Sequence, residues 1–412
     1  MDALFFLGKS IVSNVLARIM AQYERVYILT GESTEVPLAD NLKCYRFDNF
    51  HNNGAVEFKA LELARETPRL AVFGVSEGDV LRVSALNDII ANGKLSFGNA
   101  LAFRNKLLMK DKVAAANFNV PDYAPVSVPF DIICFIEAHG YPVVIKPVSG
   151  SGGSNTFILR DEQQLKRLFS SSLFDYKEIS ESYLIESFIE GDMYHIDGIL
   201  VNGEIRLIHI SCYRSSCLSY QEGKSIGSYM LDADHPLFEQ LKSASEEVVG
   251  IFTFDDVSPF HLELFSTSEN KLVFCEIACR AGGGPIMETL EAVTGYRLDD
   301  LALQGQSQPE SFVQVLADLP KEHQVAGWIL LPPQHGVLTA IPETLPFEWV
   351  KYYLPNAHQG QAFDKGQKAA DNILQAVVTG AGYRQVREYL DELESWLTQH
   401  VSWQLNEDIS NK

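Results

Sequence analysis

Residues 258–284, SPFHLELFSTSENKLVFCEIACRAGGG, decide how the rest of the chain is read. The alternation in PFHLELF and KLVFCEI is that of two half-buried strands, and the polar residues 266–270 between them close a hairpin. If that turn centres between Glu269 and Asn270, Glu263 and Glu276 stand directly opposite each other. Two carboxylates opposed on one sheet face repel unless a cation lies between them. Mg²⁺ takes such oxygens, with waters and phosphate oxygens completing its shell. A solvated hairpin with two exposed acids is the plainer alternative. Arg280 and the glycines that follow weigh against it, because they set a permanent cation and an unhindered backbone beside the acids, the surroundings a phosphate requires.

Upstream, YPVVIKPVSGSGGSNTFIL is a strand, a loop and a second strand. Lys146 sits inside the apolar run VVIKPV, where an ammonium is costly unless an anion satisfies it. The loop Ser149, Gly150, Ser151, Gly152, Gly153 and Ser154 lets backbone N–H groups close on phosphate oxygens within reach of that lysine. A flexible hairpin is also glycine-rich, so the lysine carries the argument. In YLIESFIEGDMYHIDGILV, Glu186 ends an apolar strand, and Ser187, Phe188 and Ile189 offer an apolar slot and backbone groups to a purine. Met193, His195 and Asp197 share one face of the next strand. For His195, a polar place at a strand edge is as good a reading as a role in the site.

The beginning of the chain, ALFFLG, a helical pattern over residues 11–21 and VYILTG, is a βαβ unit. Lys9 and Ser10 after Gly8 imitate the end of a phosphate-binding P-loop, but Ala3 stands where that motif needs glycine. A further strand, RLAVFGV, leads through a weak capping box at Ser76 and Asp79 into a helix. Glu77 reads more simply as a first-turn acid than as a site residue. Arg104, Lys106, Lys110 and Lys112 fall on one helical segment and are expected on a solvated face; residues 121–129 read as an extended, proline-rich linker. Residues 213–230 read as a long loop, and residues 234–251 as a helix.

With 412 residues, two or three domains are expected. A net charge of −21 argues against a nucleic-acid or anionic-membrane partner, which would need basic stripes. Six cysteines show neither a CxxC pair nor a zinc spacing. No leader peptide or long apolar span is evident, so a cytoplasmic protein is expected.

Taken in order, Lys106, Lys146 with its Gly/Ser loop, IESFIEG, LEL and CEIACRAGGG resemble the ATP-grasp superfamily, specifically carboxylate–amine ligases of the L-amino-acid ligase, or dipeptide synthetase, type. The resemblance covers residues from about Ser76 to Asp300. It implies an α/β (α+β) ATP-grasp fold: a Rossmann-like N-terminal domain over 1–97, linker helices and a glycine-loop subdomain over 98–190, and residues 191–412 made of a metal-site subdomain (191–305) and an accessory region (306–412). Two α+β subdomains would sandwich ATP. By resemblance, Lys106 and Lys146 bind phosphates and residues 149–154 cover the triphosphate. Glu186, Ser187, Phe188 and Ile189 form the adenine hinge, with His195 near the nucleotide. Glu263 and Glu276 hold Mg²⁺, with Mn²⁺ as substitute, and Arg280 orients a carboxylate or the transferring phosphoryl group. Arg280, Glu276 and Lys146 are the catalytic candidates. Two departures stand out: Ala278 replaces an asparagine common in such proteins, and Met193 replaces an acid. The implied partners are a small carboxylic acid and an amine, with a homodimer as a further expectation. The rivals are an ATP-dependent carboxylase like biotin carboxylase, a ligase that loads a carrier protein, and a nucleotide-binding module without catalysis.

Overall fold

The computed structural model describes residues 1–9, 14–74, 76–150, 152–171, 183–216, 218–319, 324–364, 366 and 371–405. Four parallel strands, β1 (Asp2–Leu7), β2 (Val26–Gly31), β3 (Leu42–Phe47) and β4 (Leu70–Gly74), form a sheet in the order β3-β2-β1-β4. Strand β1 is apolar on both faces because both faces are covered. Ala3, Phe5 and Leu7 pack on Leu16, Ile19 and Met20 of helix Asn14–Met20, while Leu4 and Phe6 pack with Val56, Ala60 and Leu63 of helix Ala55–Glu66. Leu303 of helix Leu298–Ser307 joins the first of these cores and ties the sheet to the rest of the chain.

A second, antiparallel sheet holds the glycine-rich loop. Its order is β5-β8-β6-β7, from β5 (Tyr123–Val126), β6 (Val143–Pro147), β7 (Phe157–Leu159) and β8 (Tyr183–Ser187). Helices Pro129–His139 and Glu162–Ser170 contribute Ile132, Phe135, Leu165 and Leu168 to its core. The expected linker over 121–129 is therefore partly a strand. Pro125 is compatible with it because β5 lies at the sheet edge, where a missing N–H costs no ladder bond.

The largest sheet runs β13-β12-β9-β10-β11-β14-β18-β16, antiparallel throughout. Its strands are β9 (Asp192–Val201), β10 (Glu204–Tyr213), β11 (Ile226–Met230), β12 (Val257–Ser266), β13 (Leu272–Ala278), β14 (Val325–Leu331), β16 (Val350–Pro355) and β18 (Leu374–Gly380). A small sheet of β15 (Gly336–Ala340), β17 (Ala362–Phe363) and β19 (Ser402–Leu405) completes the described strands. Period-two alternation splits the large sheet. Ile196, Ile210, Leu262 and Ile277 enter the core that also takes Leu241 and Val248 of helix Phe238–Val249. The adjacent positions His195, Asp197, His261, Glu263 and Glu276 fall on the opposite face. The end of the expected loop over 213–230 is strand β11; its glycine and serine conceal from a composition-based reading a strand whose five residues are all buried.

Candidate active site

The hairpin pairs Glu263 with Glu276, as the sequence leads one to expect, but by a different route. Ser266 pairs with Leu272 and Leu264 with Phe274, so the turn centres on Glu269, and an irregularity follows between Glu263 and Leu264. Without the extra residue Glu263 would oppose Cys275, and Glu276 would fall on the core face. The bulge at Cys275 thus sets the acid pair, and the Cys275 carbonyl accepts a hydrogen bond from Lys110 Nζ at 3.2 Å. Glu263 also pairs with His195 of β9, so three polar residues line up across three strands.

Cations surround the acids. Lys106, at the start of helix Lys106–Ala115, places Nζ 3.0 Å from Glu276 Oε2 and donates to the Gly150 carbonyl at 2.7 Å. Burial opposes ionisation of Glu276, but Lys106 and Lys146 overcome it and bring its pKa down to about 2. Lys146 Nζ lies 2.6 Å from Glu186 Oε1, and Lys110 Nζ lies 3.0 Å from Glu186 Oε2. Desolvation acts against both lysines; Glu186 outweighs it at Lys146, whose pKa is raised, whereas at Lys110 burial prevails and lowers it. The expectation of a solvated lysine face is therefore wrong for two of its members: Lys106 and Lys110 are buried, Lys110 completely. Helical spacing puts them one turn apart on the inner side of their helix, and the sequence carries no sign of the carboxylate that meets Lys110 there.

Glu77 is also more than a first-turn acid. Its carboxylate bonds both Arg104 and Arg280, and Arg104 donates onward to the Ser149 carbonyl at 2.8 Å. Burial resists the charge on either side, yet the pairing with Glu77 keeps Arg280 cationic, and the two arginines keep Glu77 anionic. The Arg280 contact joins residues 203 positions apart, beyond the reach of any local sequence pattern.

Within the glycine loop, Gly152 and Gly153 have φ of 63° and 70°, the left-handed region that favours glycine. Gly153 accepts a hydrogen bond from Tyr220 Oη at 3.0 Å, and Leu218 and Tyr220 lie against this loop. The Ser149 and Gly150 carbonyls accept from Arg104 and Lys106, Ser154 follows the two turn glycines, and Ser151 lies outside the described residues. At the expected hinge, the amides of Ser187 and Phe188 are committed to the carbonyls of Asp122 and Pro142, and Ile189 is half-buried beside them. His195 stands in line with the acids, but its nitrogens face Asp197 Oδ2 at 2.7 Å and Ser228 Oγ at 2.8 Å. Both are committed within the sheet, which leaves no ring nitrogen for a nucleotide.

His209, paired in register with Asp197, gives the fold a pH dependence. Burial brings its pKa from 6.5 down to about 4, with Asp197 acting against that shift. Between those values the unfolded chain takes a proton that the folded chain refuses, so stability falls as pH drops through this window. The loss amounts to about 3 kcal/mol by pH 4. Denaturant titrations at pH 7.0 and 4.5 should show the His209→Gln variant losing less stability on acidification than the unmodified protein; equal losses would disprove the assignment.

Two buried lysines, a glycine loop with positive-φ turns, an opposed glutamate pair and an ion-paired arginine converge between the second and the largest sheet. Residues 139–289 match the ATP-grasp domain family, and the fold is the ATP-grasp fold. Among solved structures, the L-amino acid ligase from Bacillus licheniformis superposes with a TM-score of 0.73 at 17% identity, covering 98% of this chain and 99% of that one. In sequence, this protein is similar to an L-arginine-specific L-amino acid ligase of Bacillus subtilis, 31% identical over 56% of each chain. The chain thus spans little more than half the length of that relative. Dapdiamide A synthase of Enterobacter agglomerans is 24% identical over 75% of this chain and 74% of its own. Among the described residues no helix is long and apolar enough to cross a membrane.

Proposed function

We propose that this protein is an ATP-dependent carboxylate–amine ligase that joins an amino acid or a related small acid to an amine through an acyl phosphate, releasing ADP and phosphate. The observation that carries this reading is the register-paired Glu263 and Glu276 with Lys106, Lys146 and Arg280 gathered around them. The similarity to amino-acid ligases supports it. The working units remain residues 1–97, 98–190 and 191–412.

The donor set at the hairpin suits Mg²⁺: two hard carboxylate oxygens, with no thiolate and no imidazole lone pair turned to them. When bound, Mg²⁺ supplies neutralisation of phosphate charge. The protein's cations are already paired: Lys106 with Glu276, Lys146 with Glu186, and Arg280 with Glu77. Triphosphate oxygens would replace Glu276 at Lys106, freeing that carboxylate to act as a ligand. Lys146 would stay anchored by Glu186 while its remaining donors face the phosphates. Arg280, adjoining the open backbone at Gly283, is placed to hold a substrate carboxylate or the transferring group. The carboxylate attacks the γ-phosphorus, ADP leaves, and the amine then displaces phosphate from the acyl group. The contact between Tyr220 and Gly153 would help keep the glycine loop over the site and water away from the acyl phosphate.

ADP and phosphate release should be measured with Mg²⁺-ATP across pairs of amino acids, with hydroxylamine as a parallel trap for acyl phosphates. Release with one acid, enhanced by a particular amine, is the expected result. ATP binding with no release for any pair or with the trap would count against the ligase reading.

A further inference from the structure

Behind Glu263 lies a set of side chains that the reaction above does not use. His195, Asp197 and His261 are all at most 5% exposed. His195 Nδ1 lies 2.7 Å from Asp197 Oδ2, and His261 Nδ1 lies 2.9 Å from Oδ1. An ionised carboxylate only accepts, so both rings carry a proton on Nδ1. The other ring nitrogens point away from Asp197: His195 Nε2 lies 2.8 Å from Ser228 Oγ, and His261 Nε2 stands 3.5 Å from Glu263 Oε1, a second carboxylate oxygen that can only accept, so the His261 ring carries a proton on each nitrogen. Tyr213 Oη donates to the same Glu263 oxygen at 3.1 Å. The result is a continuous chain, Ser228, His195, Asp197, His261 and Glu263, that crosses the sheet and ends on one of the two opposed acids.

Two imidazoles and a carboxylate whose ligand atoms lie within 4.8 Å of one another also make a metal-binding set. Two features favour the hydrogen-bonded arrangement. Each oxygen of Asp197 receives its own N–H at hydrogen-bond distance. The backbone is also packed on the cluster, since a Cβ at Gly282 would meet Asp197 Oδ1 at 2.5 Å and His261 Nδ1 at 3.0 Å.

We propose that His261, clamped by Asp197, is a positioning residue that presents Glu263 to the divalent cation of the bound nucleotide. This rests on Glu263 being a ligand of that cation. An unsupported glutamate samples several rotamers, whereas one whose carboxylate is gripped from behind meets the cation in a single orientation. Outer-shell partners of this kind typically contribute 10–100-fold in metal affinity.

The test is Mn²⁺ binding, followed by the electron paramagnetic resonance of the free ion in the presence of a non-hydrolysable ATP analogue, alongside the Mg²⁺ dependence of ADP release. Asparagine at 261 can still reach Asp197 but is too short for Glu263; glutamine places its amide nitrogen near the position of Nε2. His261→Asn should raise the Mn²⁺ dissociation constant by about 10–100-fold, with the maximal rate recovered at saturating Mg²⁺. His261→Gln should restore most of the affinity. Unchanged Mn²⁺ binding in His261→Asn, or a rate loss that Mg²⁺ does not reverse, overturns the proposal. Should circular dichroism show that the asparagine variant does not fold, the glutamine variant decides: affinity near that of the unmodified protein supports the proposal, and a loss as large as that expected for asparagine overturns it. Glu263→Gln in the same titration separates the layers. If it too leaves binding unchanged, the reading of Glu263 has failed; if it alone weakens binding, only the role of His261 has. One equivalent of zinc retained after dialysis against chelator and absent from His261→Asn would make the cluster a metal site instead, and also overturns the proposal.

Discussion

Glu276→Gln is expected to reduce ADP formation by about 10³-fold, the scale of several kcal/mol of charge stabilisation. The substitution keeps the shape of the side chain and removes its charge. Glu276 is 24% exposed at the side chain, so the amide remains hydrated, and Lys106 keeps its bond to the Gly150 carbonyl. Fold and thermal midpoint should therefore change little. In the ligand-free protein Glu276 neutralises Lys106, and with nucleotide bound it is proposed to hold the cation, so one charge serves two partners in turn. A coupled ADP assay read beside a thermal melt separates chemistry from folding. Turnover at the unmodified rate would refute the metal assignment.

The second large effect is on stability. Glu186 is the only carboxylate that the described residues offer both Lys146 and Lys110, and it is 4% exposed, with Lys110 fully buried. Glu186→Gln leaves buried Lys110 without its carboxylate partner and Lys146 with only the weaker influence of Glu276. Removing one partner of a buried ion pair costs about 3–5 kcal/mol, which corresponds to a fall of roughly 10 °C in the melting midpoint. Lys110→Met should be milder, because Glu186 keeps Lys146 and the thioether packs against Phe274, whose ring already lies 5.7 Å from Nζ. If Glu186 acted through its backbone alone, as the adenine-hinge reading has it, glutamine would be neutral in a differential scanning measurement. A drop confined to Glu186→Gln would establish that its side chain braces Lys146 and Lys110.

The two predictions fall on residues that sequence reading treats differently. Glu276 is legible as a strand acid because a hairpin is local: the alternation of PFHLELF and KLVFCEI and the polar turn put both acids on one hairpin, although the register that opposes them comes from the Cys275 bulge. Lys146 is legible because a charge inside an apolar run demands a partner. The glycine loop is legible because its conformational freedom is written in composition. Lys110 and Glu77 are not, since their roles depend on groups far along the chain. The lysine at 110 reads as a solvated helix residue until residue 186 is brought against it, and Glu77 reads as a helix-dipole acid until Arg104 and Arg280 converge on it. The His–Asp–His cluster is intermediate. Shared strand faces put His195 with Asp197, and His261 with Glu263, but that β12 lies beside β9 in the register that joins them is a property of the sheet.

The sequence by itself determined the elements: a βαβ opening, a lysine-bearing strand with its glycine-rich loop, and a hairpin that carries an acid on each strand, because periodicity and turn chemistry act over a few residues. The tertiary structure decided which charges are neutralised and by whom. It pairs Glu186 with two lysines, sets Glu77 between two arginines, and inserts the Cys275 bulge that turns Glu276 toward Glu263. Electrostatic pairing depends on distance in space and on burial, and neither is a function of separation along the chain.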